Sequence, residues 1–445
     1  MLHFGTDGVR GVALDELTVE LSRDLGRAVA RVLKPSAVVI GRDTRESGSV
    51  LEAAVVEGCA VEGVPVHLMG VAPTPAVAFA AEKHEWVGIA ITASHNPWQD
   101  NGIKVFAAGG HKLTDAQQID IEREWHALTM EVSPTARGVV HDALDLVEEY
   151  VESRVGVIGT AHTLDGLRVV VDCANGAMST AGPAVLQSIG LDLVVINDMP
   201  DGRNINDACG ATSPGALAAA VVREGAAFGV AFDGDGDRLV AVDATGAIVD
   251  GDHIMAVAAI DLASRGLLRN KGVAVTVMSN LGFHEAMTAH DIAVVVTPVG
   301  DRSVLAALEE HDYVLGGEQS GHIVHRAHAT TGDGLLAAVL LAEFLHRTRT
   351  SLADAAAVMT TYPQVLINVR TNERISDPAT EFSEVIASVE SEMAGKGRVL
   401  VRASGTEPLV RVMVEAPTAN AATHGARTIA EGILAAYSGE IEGTH

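Results

Sequence analysis

A chain of 445 residues, 48% of them hydrophobic, is long enough for about three domains with sizeable cores. Its formal net charge of -27 argues against nucleic acid as a main partner. Apolar runs are short and broken by Gly, Asp or Pro, and the N-terminus lacks a basic region followed by an apolar core, so neither a membrane span nor a secretory signal is expected.

Three widely spaced cysteines, Cys59, Cys173 and Cys209, form no CxxC pair and leave one unpaired in any disulfide scheme. Buried free thiols in a reducing cytoplasm are expected. The acidic charge does not exclude an anionic substrate, because charges beyond roughly 8 Å are largely screened at physiological salt. Local cations decide, and Arg10, Lys104, Arg238, Arg302, Arg402 and Arg411 all sit inside polar loops or beside them.

In chain order, the opening Gly5-Thr6-Asp7-Gly8-Val9-Arg10-Gly11 is a glycine-rich polar loop with one arginine. Apolar spacing predicts a helix over 18–33, then a strand over 37–40 ending in Gly41-Arg42-Asp43-Thr44-Arg45, a helix over 47–62 and a strand over 65–69. A buried strand over 87–91 runs into Ala93-Ser94-His95-Asn96-Pro97. Pro97 biases Asn96 away from helical angles, so this strand ends in a tight loop, which predicts an exposed Ser94 hydroxyl on a rigid base.

The strand–turn–helix start recurs at Arg168 to Gly176 and at Gly272 to Asn280. Alternation of this kind predicts α/β layers with parallel strands, in three related units. Linkers are expected near 133–140, 159–165, 250–252 and 362–363. After Pro363 the pattern changes to a strand over 365–370, a helix over 380–394 and strands over 398–401 and 410–415, a smaller α+β unit. The polar tail after Ser438 is expected to be loose. The resulting domains are 1–158, 159–253, 254–364 and 365–445.

Asp233-Gly234-Asp235-Gly236-Asp237-Arg238 joins two apolar runs and is the strongest local signal. Three carboxylates at alternate positions repel unless a cation binds or some take up protons. A solvated hairpin turn is the plain alternative. An EF-hand does not fit, because Arg238 stands where that loop needs Gly and Ala244 where it needs Glu. An oxygen-preferring divalent ion, by default Mg²⁺, suits three carboxylates, and Arg238 can hold a substrate or phosphate oxygen.

Gly316-Gly317-Glu318-Gln319-Ser320-Gly321-His322 places a carboxylate beside a hydroxyl, equipment for sugar hydroxyls or an amine, or an ordinary hairpin loop. It is not the hydrolase elbow, since Glu318 occupies the position two before Ser320 that the elbow gives to Gly. Arg402-Ala403-Ser404-Gly405-Thr406-Glu407-Pro408, with Arg411 nearby, can surround a phosphate or form a polar turn. No P-loop, Gly-x-Gly-x-x-Gly, HExxH or paired-cysteine motif appears, so nucleotide kinases, dinucleotide enzymes and zinc sites lose support. A serine, a cation site, a sugar loop and a remote phosphate loop suit a serine that gives a phosphoryl group to a phosphosugar and takes one back.

These motifs, in this order and together with Asn101-Gly102-Ile103-Lys104 and Pro298-Val299-Gly300-Asp301-Arg302, resemble the α-D-phosphohexomutases nearly end to end, most closely the bacterial enzymes acting on glucosamine phosphates. The resemblance implies three related α/β domains with mixed sheets and a smaller C-terminal α+β domain, arranged in a heart shape around a central cleft. It implies interconversion of glucosamine 6-phosphate and glucosamine 1-phosphate, a step toward peptidoglycan precursors, through a phosphoserine at Ser94 and a 1,6-bisphosphate. By the same analogy one Mg²⁺ per chain lies on Ser94, Asp233, Asp235 and Asp237. Arg238 and Arg302 join Glu318 and Ser320 in substrate binding, while Arg402, Ser404, Gly405, Thr406 and Arg411 hold the phosphate that is not transferred.

Lys104, Arg10, His95 and His322 are the candidate proton movers and phosphoryl stabilisers. Lys104 is favoured as general acid or base, provided neighbouring cations lower its pKa. Glucosamine or glucose 1,6-bisphosphate is the expected activator, with a kinase or self-phosphorylation as other sources of the first phosphate, and a homodimer is left open. The rivals are a sister mutase for glucose or mannose phosphates and a non-catalytic phosphosugar-binding regulator.

Overall fold

A computed structural model describes residues 2–5, 8–128, 137–159, 164–404 and 408–444. Its contacts divide the chain into two units, one of residues 1–278 and 290–358, the other of residues 279–289 and 359–445.

The larger unit holds three sheets. The first has the strand order Val9–Val12, Asp100–Phe106, Val87–Ile91, Val38–Arg42, Val66–Val71, Val140–Asp142. Val87–Ile91 is buried at all five residues, as its unbroken apolar sequence requires of a strand covered on both faces. The layer is mixed rather than parallel. Asp100–Phe106 runs antiparallel to both neighbours, with Ile103 opposite Ile91 on one side and Val9 on the other.

Helices Val19–Leu33 and Gly48–Val61 cover this sheet. The first is capped by Thr18, whose Oγ1 accepts the Leu21 amide at 3.2 Å. Leu25, Val29, Ile40, Val55 and Ile89 share the core beneath them. The two helices meet at Gly58, where a Cβ would fall 2.0 Å from the Arg23 carbonyl oxygen, so a larger residue would force them apart. Helix Thr74–His84 leaves little periodic trace, because Val77, Ala78, Ala80 and Ala81 bury it on most faces.

The second sheet has the order Ile248–Val249, Leu239–Asp243, Phe228–Phe232, Arg168–Asp172, Asp192–Ile196. Leu239 pairs opposite Phe232, so the acidic stretch 233–238 is the loop of a tight antiparallel pair. The third sheet has the order Ala293–Thr297, Gly272–Thr276, Leu315–Gly317, Ile323–His325. Here Gly317 pairs with Ile323, which makes 318–322 a second hairpin loop. Cys59, Cys173 and Cys209 are free and buried, as expected.

The smaller unit has one antiparallel sheet, ordered Arg398–Ala403, Leu409–Glu415, Gln364–Thr371, Gly439–Thr444. Helix Ala419–Ala436 packs Ile429 and Ile433 against Ile367, Val369, Val412 and Val414. The helix expected over 380–394 is two pieces, Pro378–Glu381 and Ser383–Glu392, broken at Phe382. The tail is not loose. Gly439–Thr444 pairs antiparallel with Gln364–Thr371. The reason is that ladder bonds are made by the main chain, so a polar segment can satisfy the open edge of a strand without contributing to the core.

Candidate active site

The site is built on the end of strand Val87–Ile91. Ser94 adopts a left-handed backbone, φ 55°, where a residue with a side chain is strained unless its surroundings impose the conformation. Arg45 imposes it. The buried guanidinium bonds the carbonyls of Ser94 at 2.9 Å, Asn96 at 2.8 Å and Asp100 at 3.1 Å, and also that of Pro97. Asp43 holds Arg45 in turn, with Oδ2 2.9 Å from Nε. Asp43 also takes the Thr92 hydroxyl at 2.7 Å, and Thr92 Oγ1 accepts the Ser94 amide at 2.9 Å. The loop therefore hangs on one buried ion pair.

Ser94 is not the exposed hydroxyl anticipated from the sequence. It is 1% accessible, and its Oγ donates to Asp233 Oδ2 at 2.6 Å. The acidic hairpin closes over it: Asn206 Nδ2 also donates to the Ser94 carbonyl, and a Cβ on Gly234 would lie 2.6 Å from that same oxygen.

Asp233, Asp235 and Asp237 are buried, and one carboxylate oxygen from each lies within 4.8 Å of the others. Burial, then the charges of Asp235 and Asp237, raises the Asp233 pKa well above the usual carboxylate range. Burial opposes ionisation of Asp237 too, but Lys104, His322 and Arg238 outweigh it and hold its pKa well below that range. Lys104 Nζ lies 2.8 Å from Asp235 Oδ2 and 3.0 Å from Asp237 Oδ2. Its expected cationic neighbours are thus replaced by carboxylates, and its ammonium is a counter-ion to the cluster. Among the described residues, Oδ1 of Asp235 and Oδ1 of Asp237 are buried with no hydrogen-bond partner, Arg238 Nε lying 3.9 Å from the latter. Unpartnered buried carboxylate oxygens are costly unless a cation meets them, so the donor set fits a hard divalent ion.

A cleft of about 410 Å³ opens beside the cluster, lined by Arg10, His95, Asp237, Arg238, Glu318 and His322 among others. A second lobe of about 540 Å³ shares His95, Arg238 and Glu318 and adds Ser320. Burial, reinforced by Arg238 and Arg10, lowers the His95 pKa to about 4, so its imidazole is neutral at neutral pH; Nδ1 lies 3.4 Å from Ser94 Oγ. His322 Nε2 accepts the Gly332 amide at 3.1 Å, which leaves the proton on Nδ1, 3.7 Å from Asp237 Oδ2. Glu318 is oriented by the Gly300 amide at 3.1 Å, with Ser320 Oγ 3.4 Å from its other oxygen.

Arg302 is not brought to this cleft. Its guanidinium bonds Gln118 at 2.8 Å and pairs with Asp115. In the smaller unit Arg402 and Arg411 stand directly opposite each other on adjacent antiparallel strands. Burial and then the Arg411 charge lower the Arg402 pKa. Ser404 is buried and donates its amide to the Leu409 carbonyl at 2.7 Å. Gly405 and Thr406 lie outside the described residues.

Sequence reasoning did not single out Arg45, Asp43, Thr92 or Asn206 as site residues. The Gly41 to Arg45 stretch was visible as a polar strand end, and its alternating arginines and aspartate were the available signal.

Comparison with known proteins identifies the family. Four family models match in order: Phosphoglucomutase/phosphomannomutase, alpha/beta/alpha domain I, over residues 1–131; domain II over 148–246; domain III over 250–362; and the C-terminal domain over 366–432. A phosphoglucosamine mutase of Salinispora arenicola is 49% identical over 97% of this chain and 98% of its own. A solved phosphoglucomutase/phosphomannomutase family protein of Burkholderia thailandensis superposes with a TM-score of 0.81 at 24% identity, over 98% of each chain. An Aspergillus fumigatus N-acetylphosphoglucosamine mutase, solved with GlcNAc-6P and magnesium, superposes with a TM-score of 0.69 at 19% identity, over 97% of this chain and 95% of that one.

Proposed function

We propose that this chain, which belongs to the phosphoglucomutase/phosphomannomutase family, interconverts glucosamine 6-phosphate and glucosamine 1-phosphate through a phosphoserine at Ser94 and a 1,6-bisphosphate intermediate. The observation that carries this reading is the Ser94 hydroxyl held 2.6 Å from Asp233 at the edge of a buried cluster of three carboxylates. The choice of the amino sugar rests on the Salinispora arenicola relative and its name.

Asp233, Asp235 and Asp237, with an oxygen of phosphorylated Ser94, would hold one Mg²⁺, which would supply neutralisation of phosphoryl charge during in-line transfer. The Arg45 clamp fixes the serine, so that the reacting oxygen does not wander between turnovers. Arg238 and Arg10 face the cleft as cations for phosphoryl oxygens. Glu318 and Ser320 receive the sugar hydroxyls or the 2-amino group, an ammonium suiting the carboxylate.

Lys104, Arg10, His95 and His322 are the proposed proton movers and phosphoryl stabilisers, and Lys104, paired with Asp235 and Asp237, lacks the cationic neighbours that acid–base work near neutral pH would require of it. The Arg402–Arg411 pair, with Ser404, is proposed as the grip for the phosphate not being transferred. The bisphosphate, of glucosamine or glucose, recharges Ser94. A cytoplasmic enzyme accords with three buried free thiols, and no helix among the described residues is long and apolar enough to cross a membrane.

The test is a mutase assay with Mg²⁺ and catalytic bisphosphate on glucosamine, glucose and mannose 6-phosphates in parallel, with phosphopeptide mapping. Preference for glucosamine 6-phosphate in kcat/KM and phosphate on Ser94 support the reading. Preference for glucose or mannose phosphate moves the assignment to a sister mutase, and turnover with no phosphate ever trapped on Ser94 removes the phosphoserine.

A further inference from the structure

Away from the carboxylate cluster, the described residues contain one further group with metal-ligand chemistry. His3, Glu122 and His126 each offer a ligand atom, all within 4.8 Å of one another. Glu122 and His126 are one turn apart on helix Asp115–Ala127, a spacing that puts both side chains on one face. That helix is rigidly seated: Ile121 and Trp125 are buried, the indole donates to the Leu21 carbonyl at 2.9 Å, and Thr114 and Gln117 form a reciprocal cap. The third group comes from the N-terminal arm. Leu2 and Phe4 pack against the core on either side of His3, which leaves the His3 imidazole turned to the helix and open to solvent.

The three side chains already converge. Glu122 Oε1 contacts His3 Nδ1 while its Oε2 lies 3.4 Å from the Phe4 amide. His126 Nε2 is 3.3 Å from the Leu2 carbonyl, and the two imidazoles meet edge to face at 5.6 Å. Two imidazoles and one carboxylate, with open positions for water, are a donor set for borderline divalent ions and a poor one for Mg²⁺, which prefers oxygen.

We propose that His3, Glu122 and His126 form a second metal site, selective for Zn²⁺ or a similar nitrogen-preferring ion, and that the bound ion staples the N-terminal arm to helix Asp115–Ala127. The arm matters to the active cleft, because His3, Gly5, Gly8 and Arg10 are all part of its wall. The site is separate from the carboxylate cluster and does not rest on the proposed reaction.

The test uses the full-length protein, stripped by a chelator and then kept in excess Mg²⁺ so that the carboxylate cluster is occupied, and titrated with Zn²⁺ by calorimetry. One Zn²⁺ per chain is expected. Glu122→Gln and His126→Gln are each expected to weaken it by about tenfold or more, and Asp235→Asn to leave it unchanged. Hydrogen exchange at the Phe4 amide is expected to slow on adding Zn²⁺ in the unmodified protein and not in His126→Gln. Absence of binding, equal affinity in all variants, loss confined to Asp235→Asn, or unchanged exchange at Phe4 would each overturn the proposal.

Discussion

Ser94 Oγ and Asp233 Oδ2 are 139 positions apart in the chain and 2.6 Å apart in space. The bond joins the first sheet's serine loop to the second sheet's hairpin, and it makes the serine and the carboxylate cluster one device. Ser94→Ala is expected to lower kcat/KM by on the order of 10³-fold or more while the far-ultraviolet spectrum stays unchanged. A variant that retained turnover would separate the serine from the chemistry.

Arg45 holds four carbonyls of the serine loop, and its charged partner among the described residues is Asp43, itself buried. Removing one member of a buried pair strands the other, at a cost of about 3–5 kcal/mol. Arg45→Ala is therefore expected to destabilise the protein by about that much in urea unfolding. Arg45→Lys keeps the charge but not the fork of donors, and kcat is expected to fall more than KM rises.

Chelation tests the carboxylate cluster. Exhaustive EDTA treatment is expected to abolish turnover, with recovery on adding Mg²⁺. Asp237→Asn is expected to cost about 10²-fold or more in kcat even at saturating Mg²⁺. Full activity in a chelated sample would dissociate the unpartnered Asp235 and Asp237 oxygens from catalysis.

In the smaller unit, Arg402 and Arg411 face each other across adjacent strands. Like charges placed so are destabilising by a few tenths to about 1 kcal/mol. Arg402→Gln is expected to raise the melting temperature slightly without ligand, to raise KM for the phosphosugar about tenfold or more, and to abolish stabilisation by inorganic phosphate. Stability that fell with KM unchanged would make the pair structural.

His325 predicts a pH effect on stability. It is buried, and burial, then His328, lowers its pKa to about 4. The unfolded chain takes up a proton at this residue near pH 6.5, the folded protein only near pH 4. Its contribution is therefore present above pH 6.5 and is lost as pH falls toward 4, by about 3 kcal/mol. His95, lowered to about 4 as well, adds in the same direction. His325→Gln is expected to flatten the dependence of urea midpoint on pH across this window, and an unaltered slope would show that His325 is not its source.

Much of the candidate site was legible in the chain because its chemistry is concentrated in short loops between apolar runs. Asp233, Asp235 and Asp237 announce themselves by alternation with glycine, and the apolar runs over 226–232 and 239–242 on either side contain the strands Phe228–Phe232 and Leu239–Asp243. The strand before Ser94 was equally plain from the apolar run over 87–91, which the fold buries at all five residues. Local pattern suffices where hydrophobic periodicity and turn chemistry agree.

What the chain alone could not decide depends on contacts between distant segments. Nothing near Ser94 in sequence says that Asp233 caps it, that Arg45 pins its loop, or that Lys104 lies on Asp235 and Asp237 rather than among cations. The same holds for Arg302, drawn to Asp115 and Gln118, and for the tail Gly439–Thr444, paired with Gln364–Thr371. Residue type and spacing determine which elements form and which loops are polar. Burial, charge partners and main-chain pairing between remote segments exist only once the sheets are assembled, and they decide which polar side chains share a site.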